Sequence, residues 1–191
     1  MPRAKTRSGT VRFVYGPVPS RRLGFSLGVD IIPLKTCSLD CVYCQLGSTG
    51  RTTVRRRAYY SPREVIAQVR AALAGARRVD HITFSGSGEP TLNRNLGRIV
   101  RGLKTVTKVP VAVLTNGTLL TRKDVRADLL AADVVVPSLD AVPGPLFRAV
   151  NRPHTSHPRL RRKVPTVCGT KRESRRVGAN RAAGRPSNSR R

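Results

Sequence analysis

Short apolar runs alternate along this chain with stretches whose apolar residues recur at helical spacing. Over residues 27–33 the run Leu-Gly-Val-Asp-Ile-Ile-Pro reads as a short buried strand that delivers the chain directly into Lys35-Thr36-Cys37. Ser61-Pro62-Arg63-Glu64 has capping-box spacing with proline at the first helical position, and Val65, Ile66, Val69, Ala72 and Leu73 follow on one face. An amphipathic helix closed by Gly75 is predicted there. The unit then repeats: a strand over 79–84, a helix carrying Leu96, Ile99, Val100 and Leu103, a strand over 109–114, a helix over 121–131, and a strand over 134–137.

Such alternation requires parallel strands joined by right-handed crossovers, which brings the C-terminal strand ends and their loops to one rim. In barrels of this kind that rim is the active-site side. The cysteine loop, residues 85–91, Thr115-Asn116-Gly117 and Ser138-Leu139-Asp140 each follow a strand, so all four should converge. A chain of 191 residues holds one domain with a real core but is short for a complete α/β barrel. The expected fold class is therefore α/β: a partial (β/α) barrel of about four parallel strands with crossover helices, followed by a disordered basic tail. The expected divisions are a basic N-terminal arm over 1–12, a core over 13–153 and an Arg-rich tail over 154–191. In that tail apolar residues are isolated and no period of strand or helix fits. Its arginine-rich composition is that of an out-of-frame reading of a GC-rich gene, which sequencing of the source DNA would test.

Charge changes this picture by suggesting a partner. Lys and Arg number 37 against 10 Asp and Glu, a formal net charge of +27, which favours polyanions, nucleic acid first among them. A solvated basic surface is the alternative. Three cysteines cluster and Cys168 stands apart, unlike the even framework of a secreted disulfide protein, so a reducing, cytoplasmic setting is expected. Residues 1–10 are basic but lack the apolar stretch of a signal peptide and the amphipathicity of a transit peptide, and no run reaches the length of a membrane span.

Cys37-Ser38-Leu39-Asp40-Cys41-Val42-Tyr43-Cys44 has C-x3-C-x2-C spacing, which lets one loop wrap three thiolates around three corners of an iron–sulfur cubane. The fourth iron is then free to bind a substrate or cofactor. Zinc or unligated thiols remain as alternatives: zinc would want a fourth ligand, and His81, His154 and His157 are distant in sequence.

With an aromatic just before its last cysteine, this segment resembles the signature of the radical S-adenosylmethionine (SAM) superfamily. Phe84-Ser85-Gly86-Ser87-Gly88-Glu89-Pro90 resembles the family's Gly-Gly-Glu-Pro motif, with Ser87 at the first glycine position. The resemblance implies a [4Fe–4S] cluster on Cys37, Cys41 and Cys44, SAM positioned by Ser87, Gly88 and Glu89, and a cavity lined by Asn116, Ser138 and Asp140. It also implies an electron donor such as flavodoxin or ferredoxin, and reductive cleavage of SAM to a 5′-deoxyadenosyl radical. Tyr43 is expected to pack against the cluster; no residue is assigned as catalytic. Read without the resemblance, Asn116, Ser138 and Asp140 could be turn residues.

Residues 16–24 before the first strand and Val150-Asn151-Arg152-Pro153-His154 after the last resemble a subgroup similar to the tRNA wyosine-synthesis enzymes. That implies tRNA or another RNA as partner, with Arg21, Arg22 and Arg55 to Arg57 either meeting phosphates or forming a solvated face. A peptide or small-molecule substrate is the second reading, and a non-catalytic cluster-binding remnant with nonspecific nucleic-acid binding the third. A complete core of the family carries further strands that help enclose SAM, so the SAM pocket of this chain is expected to be incomplete.

Overall fold

The computed structural model describes residues 11–50, 52–141 and 144–156. Most of the expected basic arm and tail, and Cys168 with them, lie outside the described residues. Five strands form one sheet in the order β1-β2-β3-β4-β5: β1 (Val14–Ser20), β2 (Gly24–Val29), β3 (His81–Phe84), β4 (Val111–Thr115) and β5 (Val134–Pro137). The last four are mutually parallel, as expected, and β1 pairs antiparallel with β2. Helices α1 (Pro62–Gly75), α2 (Leu96–Val106), α3 (Lys123–Leu129) and α4 (Gly144–Asn151) follow β2, β3, β4 and β5 in turn. Because the parallel strands advance in one direction without reversal, right-handed crossovers place the helices on a single face, the arrangement of a barrel segment rather than of a doubly wound sheet.

The core lies between sheet and helices. Val29, Ile82, Phe84, Val111 and Val113 from the strands meet Val65 and Val69 of α1 and Leu96, Ile99, Val100 and Leu103 of α2, all of them fully buried. The 3.6-residue pattern of α2 therefore faces inward as the sequence predicts. Gly102 of α2 lets Ile66 of α1 pass close: a Cβ there would stand 2.4 Å from Ile66 Cδ1.

Several expectations need correction. Ser61 does stand at the N-cap of α1 but makes no side-chain capping bond, so the capping box is present in spacing only. Strand β2 ends at Val29, because the Asp30 carboxylate accepts the Ile32 N–H at 3.2 Å and turns the chain out of the ladder. β4 begins only at Val111, since Pro110 has no N–H to give the ladder. β1 was not expected: two prolines and a glycine in Val-Tyr-Gly-Pro-Val-Pro-Ser argue against a central strand, and β1 is in fact at an edge, with an irregularity between Tyr15 and Val18. α4 was likewise unpredicted. His154, expected to open the tail, donates its backbone N–H to Ser38 O at 3.0 Å and so is docked on the folded unit.

The arginines that flank the cysteine loop in sequence also divide. Arg21 and Arg22 sit in the β1–β2 turn, at the opposite end of β2 from the cysteine loop, and line a groove with Leu114 and Val136. Arg55 and Arg57 are exposed, but Arg56 is buried at 8% exposure. Its guanidinium donates to Thr91 O (2.8 Å), Asn93 O (3.1 Å), Asp124 (2.8 Å) and Asp128 (2.5 Å), tying the segment after the cysteine loop to β3's exit and to α3. Arg122 and Arg56 together hold the half-exposed Asp124 carboxyl well below the usual carboxylate range.

Arg56→Leu should therefore destabilise the chain by about 3 kcal/mol, because it leaves two carbonyls and the mostly buried Asp128 without their donor. Urea denaturation checks it; a loss under about 1 kcal/mol, the scale of an exposed ion pair, would mean that the network is peripheral.

Candidate functional site

The four strand-end loops do converge. Lys35 N–H donates to Ser87 O (2.7 Å) and Glu89 N–H to Thr36 O (3.0 Å), joining the segment that leads into the cysteines to the loop after β3. Asn116 N–H donates to Glu89 Oε2 (2.7 Å) and Ser138 N–H to Thr115 O (2.8 Å), adding the loops after β4 and β5. Tyr43 then closes the ring by donating its hydroxyl to Asp140.

Close approach at this rim depends on two glycines. Gly86 has φ 125°, and a Cβ on it would fall within 3 Å of the Asp30 carboxylate; a Cβ on Gly88 would stand 2.0 Å from Thr36 O. Asp30 is the buried acid that shapes this loop, accepting the Ser87 N–H (3.1 Å) and hydroxyl (2.5 Å). Sequence reasoning assigned it no role, although a carboxylate inside the apolar run 27–33 was a visible signal.

Glu89 is 2% exposed, and its carboxylate accepts four bonds. Oε1 takes the Thr91 N–H (3.1 Å), the Thr91 hydroxyl (2.5 Å) and the Thr115 hydroxyl (2.6 Å); Oε2 takes the Asn116 N–H (2.7 Å). Burial pushes this carboxyl above its ordinary range, and the hydrogen bonds from Thr115, Thr91 and Asn116 oppose the shift. Glu89 thus joins the ends of β3 and β4 and has its acceptors occupied, whereas Ser87 and Gly88 are half-buried in the same loop.

Cys37, Cys41 and Cys44 are free and half-buried. The Cys44 N–H donates to Cys41 O at 3.1 Å, the tight turn that x2 spacing allows. Burial pushes the Cys37 thiol up to about 11, with the Glu89 and Cys41 charges adding to it and bonds from Leu39 N–H and Asn116 opposing it. Asn116 Nδ2 lies 3.5 Å from Cys37 Sγ and 3.0 Å from Ser38 Oγ. Asn151, at the end of α4, brings its Nδ2 to 3.3 Å from Cys41 Sγ. Lys35 reaches across the loop to Ser48 O at 2.8 Å, and Asp40 accepts from Ser48 (3.3 Å) and Thr49 (2.5 Å), which folds residues 45–49 back on the cysteines. Ser138 and Asp140 are exposed, and Tyr43 is 55% exposed. Of the three histidines weighed as zinc ligands, His81 hydrogen-bonds Leu23 O at the far end of the sheet, His154 docks by its backbone N–H on Ser38 beside Cys37 with its Nδ1 accepting the Ser156 N–H, and His157 lies outside the described residues. Among the described residues no three His, Cys, Asp or Glu side chains surround a single ion position.

A barrel segment with three free thiols on the loop after its first parallel strand defines an α/β protein of radical SAM architecture. Residues 31–162 match the radical SAM superfamily, more than half of the chain, and the chain belongs to that superfamily. It is 47% identical over 152 residues to GTPase Obg of Brachyspira hyodysenteriae, covering 80% of this chain and 22% of that protein. It is 46% identical over 142 residues to a UPF0026 protein of Methanocaldococcus jannaschii (73% of this chain, 44% of that protein). Similarity to a probable GTP 3′,8-cyclase of Saccharolobus islandicus is 32% over 115 residues, 60% of this chain and 35% of that one. The chain spans about half the length, or less, of the curated relatives it matches.

Both Glu89 oxygens accept a backbone N–H, and an amide has one carbonyl oxygen only. Glu89→Gln should therefore set an NH2 group against a backbone N–H and destabilise the apo chain by about 2 kcal/mol. Thermal unfolding of the variant checks this; an unchanged midpoint would mean that the loop can re-form around the amide.

Proposed function

We propose that this chain is the cluster-binding part of a radical SAM enzyme, in which Cys37, Cys41 and Cys44 hold a [4Fe–4S] cluster with one open iron. The observation that carries the reading is the placement of three free thiols on one loop at the rim where the loops after all four parallel strands meet. The donor set fits the group: three sulfurs and no fourth protein thiol among the described residues, with amide N–H groups aimed at two of them. When bound, the cluster supplies the electron for reductive cleavage of SAM to a 5′-deoxyadenosyl radical.

The chain's own residues bind and orient. Ser87 and Gly88 offer the loop that would hold the amino end of SAM, and the absence of a side chain at 88 lets that loop pack directly on Thr36 O, just before the first cysteine. Glu89 supports that loop from beneath, and Asn116, Ser138 and Asp140, on the loops after β4 and β5, would line the SAM cavity. An acidic one-electron donor such as a flavodoxin or ferredoxin would suit the strongly basic surface. For the substrate we favour RNA, with the exposed Arg55 and Arg57 near the rim as phosphate contacts. A peptide or small-molecule substrate is the second reading, supported by the distant likeness to a protein named as a nucleotide cyclase.

Anaerobic reconstitution with iron and sulfide tests the cluster. About four irons and four sulfides per chain are expected; Cys37→Ala, Cys41→Ala or Cys44→Ala should each abolish the brown chromophore, while Cys168→Ala should keep it. Equal loss in the Cys168 variant would overturn the ligand assignment. SAM cleavage to 5′-deoxyadenosine is the companion assay, and its complete absence from every reconstituted longer relative would refute the activity.

RNA binding, measured by filter retention, should weaken about a thousandfold between 50 and 200 mM salt if some six phosphates are neutralised. Affinity that ignores salt would remove RNA as the favoured partner.

A further inference from the structure

Asn151 is a polar side chain at 1% exposure at the C-terminal end of α4, where an apolar residue would serve packing as well. Its surroundings explain the choice. The Nδ2 amide lies 3.1 Å from Tyr43 Oη, 3.2 Å from Asp140 Oδ2 and 3.3 Å from Cys41 Sγ. Tyr43 gives its own proton to Asp140, so these two adjacent oxygens accept one shared hydrogen of the Asn151 amide and leave its second for Cys41 Sγ. These two acceptors fix which end of the amide faces the cysteine: the N–H end, not the carbonyl. The cost of that orientation is visible, because Asn151 Oδ1 is buried with no hydrogen-bond partner among the described residues. The Cys41 Sγ also lies 3.9 Å from the Asn151 backbone carbonyl, an acceptor for its S–H in the unligated chain, while a sulfur bound to iron can use only the Nδ2 donor.

The backbone makes the same contact rigid. Asp40 N–H donates to Asn151 O (3.0 Å) and Val42 N–H to Val150 O (2.9 Å), so α4's last turn clasps the residues on both sides of Cys41. Leu39 bridges Pro153 just beyond. Asn116 makes a longer, 3.5 Å approach to Cys37 from the other side of the loop.

We propose that Asn151, held by Tyr43 and Asp140, is a positioning residue that presents an N–H to the Cys41 thiolate and thereby raises the reduction potential of the bound cluster. The inference rests on the cluster reading above. Its physical basis is that a hydrogen bond to a ligand sulfur favours the more negative, reduced state. A merely structural role predicts the opposite sign: a loosened loop admits water, and water also favours the more highly charged reduced cluster.

The test uses the full chain, reconstituted anaerobically, with the potential read by EPR-monitored redox titration. Asn151→Leu, close in volume but without the donor, should keep its iron and sulfide and shift the midpoint to more negative values. A midpoint that is unchanged or more positive at full cluster occupancy would overturn the proposal. Should Asn151→Leu fail to fold, as judged by thermal unfolding of the apo chain, Tyr43→Phe decides. Tyr43 is over half exposed, and its loss releases the amide; a smaller negative shift supports the proposal and no shift overturns it. Parent protein that takes up no iron at all would instead overturn the cluster reading, and this assignment with it.

Discussion

The Glu89 carboxylate is the constraint on which the rim depends. Parallel strands in a sheet are held along their length by the ladder, but their C-terminal ends leave it with backbone groups unpaired. One buried carboxylate supplies acceptors for the exits of two neighbouring strands at once, taking N–H groups from Thr91 and Asn116 and hydroxyls from Thr91 and Thr115. The loop after β3 is thereby fixed against the loop after β4, and Glu89's own N–H extends the tie to Thr36, the residue before the first cysteine. A buried ion with so many donors is stable where an unpaired one would not be.

Two further devices transmit this order outward. Arg56, buried beneath the rim, joins carbonyls at Thr91 and Asn93 to carboxylates on α3, so the helix layer and the loop layer cannot shift independently. Asp30 does similar work at the end of β2, holding Ser87 while Gly86 leaves room for its side chain. The cysteine loop itself has no regular secondary structure and is stiffened from three sides: Asn116 on β4's exit, the last turn of α4, and its own Lys35, Asp40 and Thr49 contacts. Preorganisation of that kind is what a site built on loops requires to hold a cofactor in fixed geometry.

Among the described residues no helix is long and apolar enough to cross a membrane. The β5 edge pairs with β4 on one side only among those residues, and Leu139 beyond it is 69% exposed.

The sequence by itself determined the parallel strands, the helices α1 to α3 and the three-cysteine loop, because each is written in local periodicity or spacing: Leu96, Ile99, Val100 and Leu103 recur every helical turn, and C-x3-C-x2-C needs no partner to be read. Convergence of the strand-end loops also followed from sequence, since handedness leaves one rim to share. The tertiary structure alone decided that Glu89 faces inward and that Arg56, indistinguishable in the string from Arg55 and Arg57, is a buried anchor. It alone decided that Arg21 and Arg22 lie at the far end of β2, that a proline-bearing segment pairs as an edge strand, and that Asn151 meets Cys41 across 110 residues. Those contacts join side chains remote in sequence, and their energies depend on burial and on the number of donors around each acceptor, quantities that no local pattern of residues encodes.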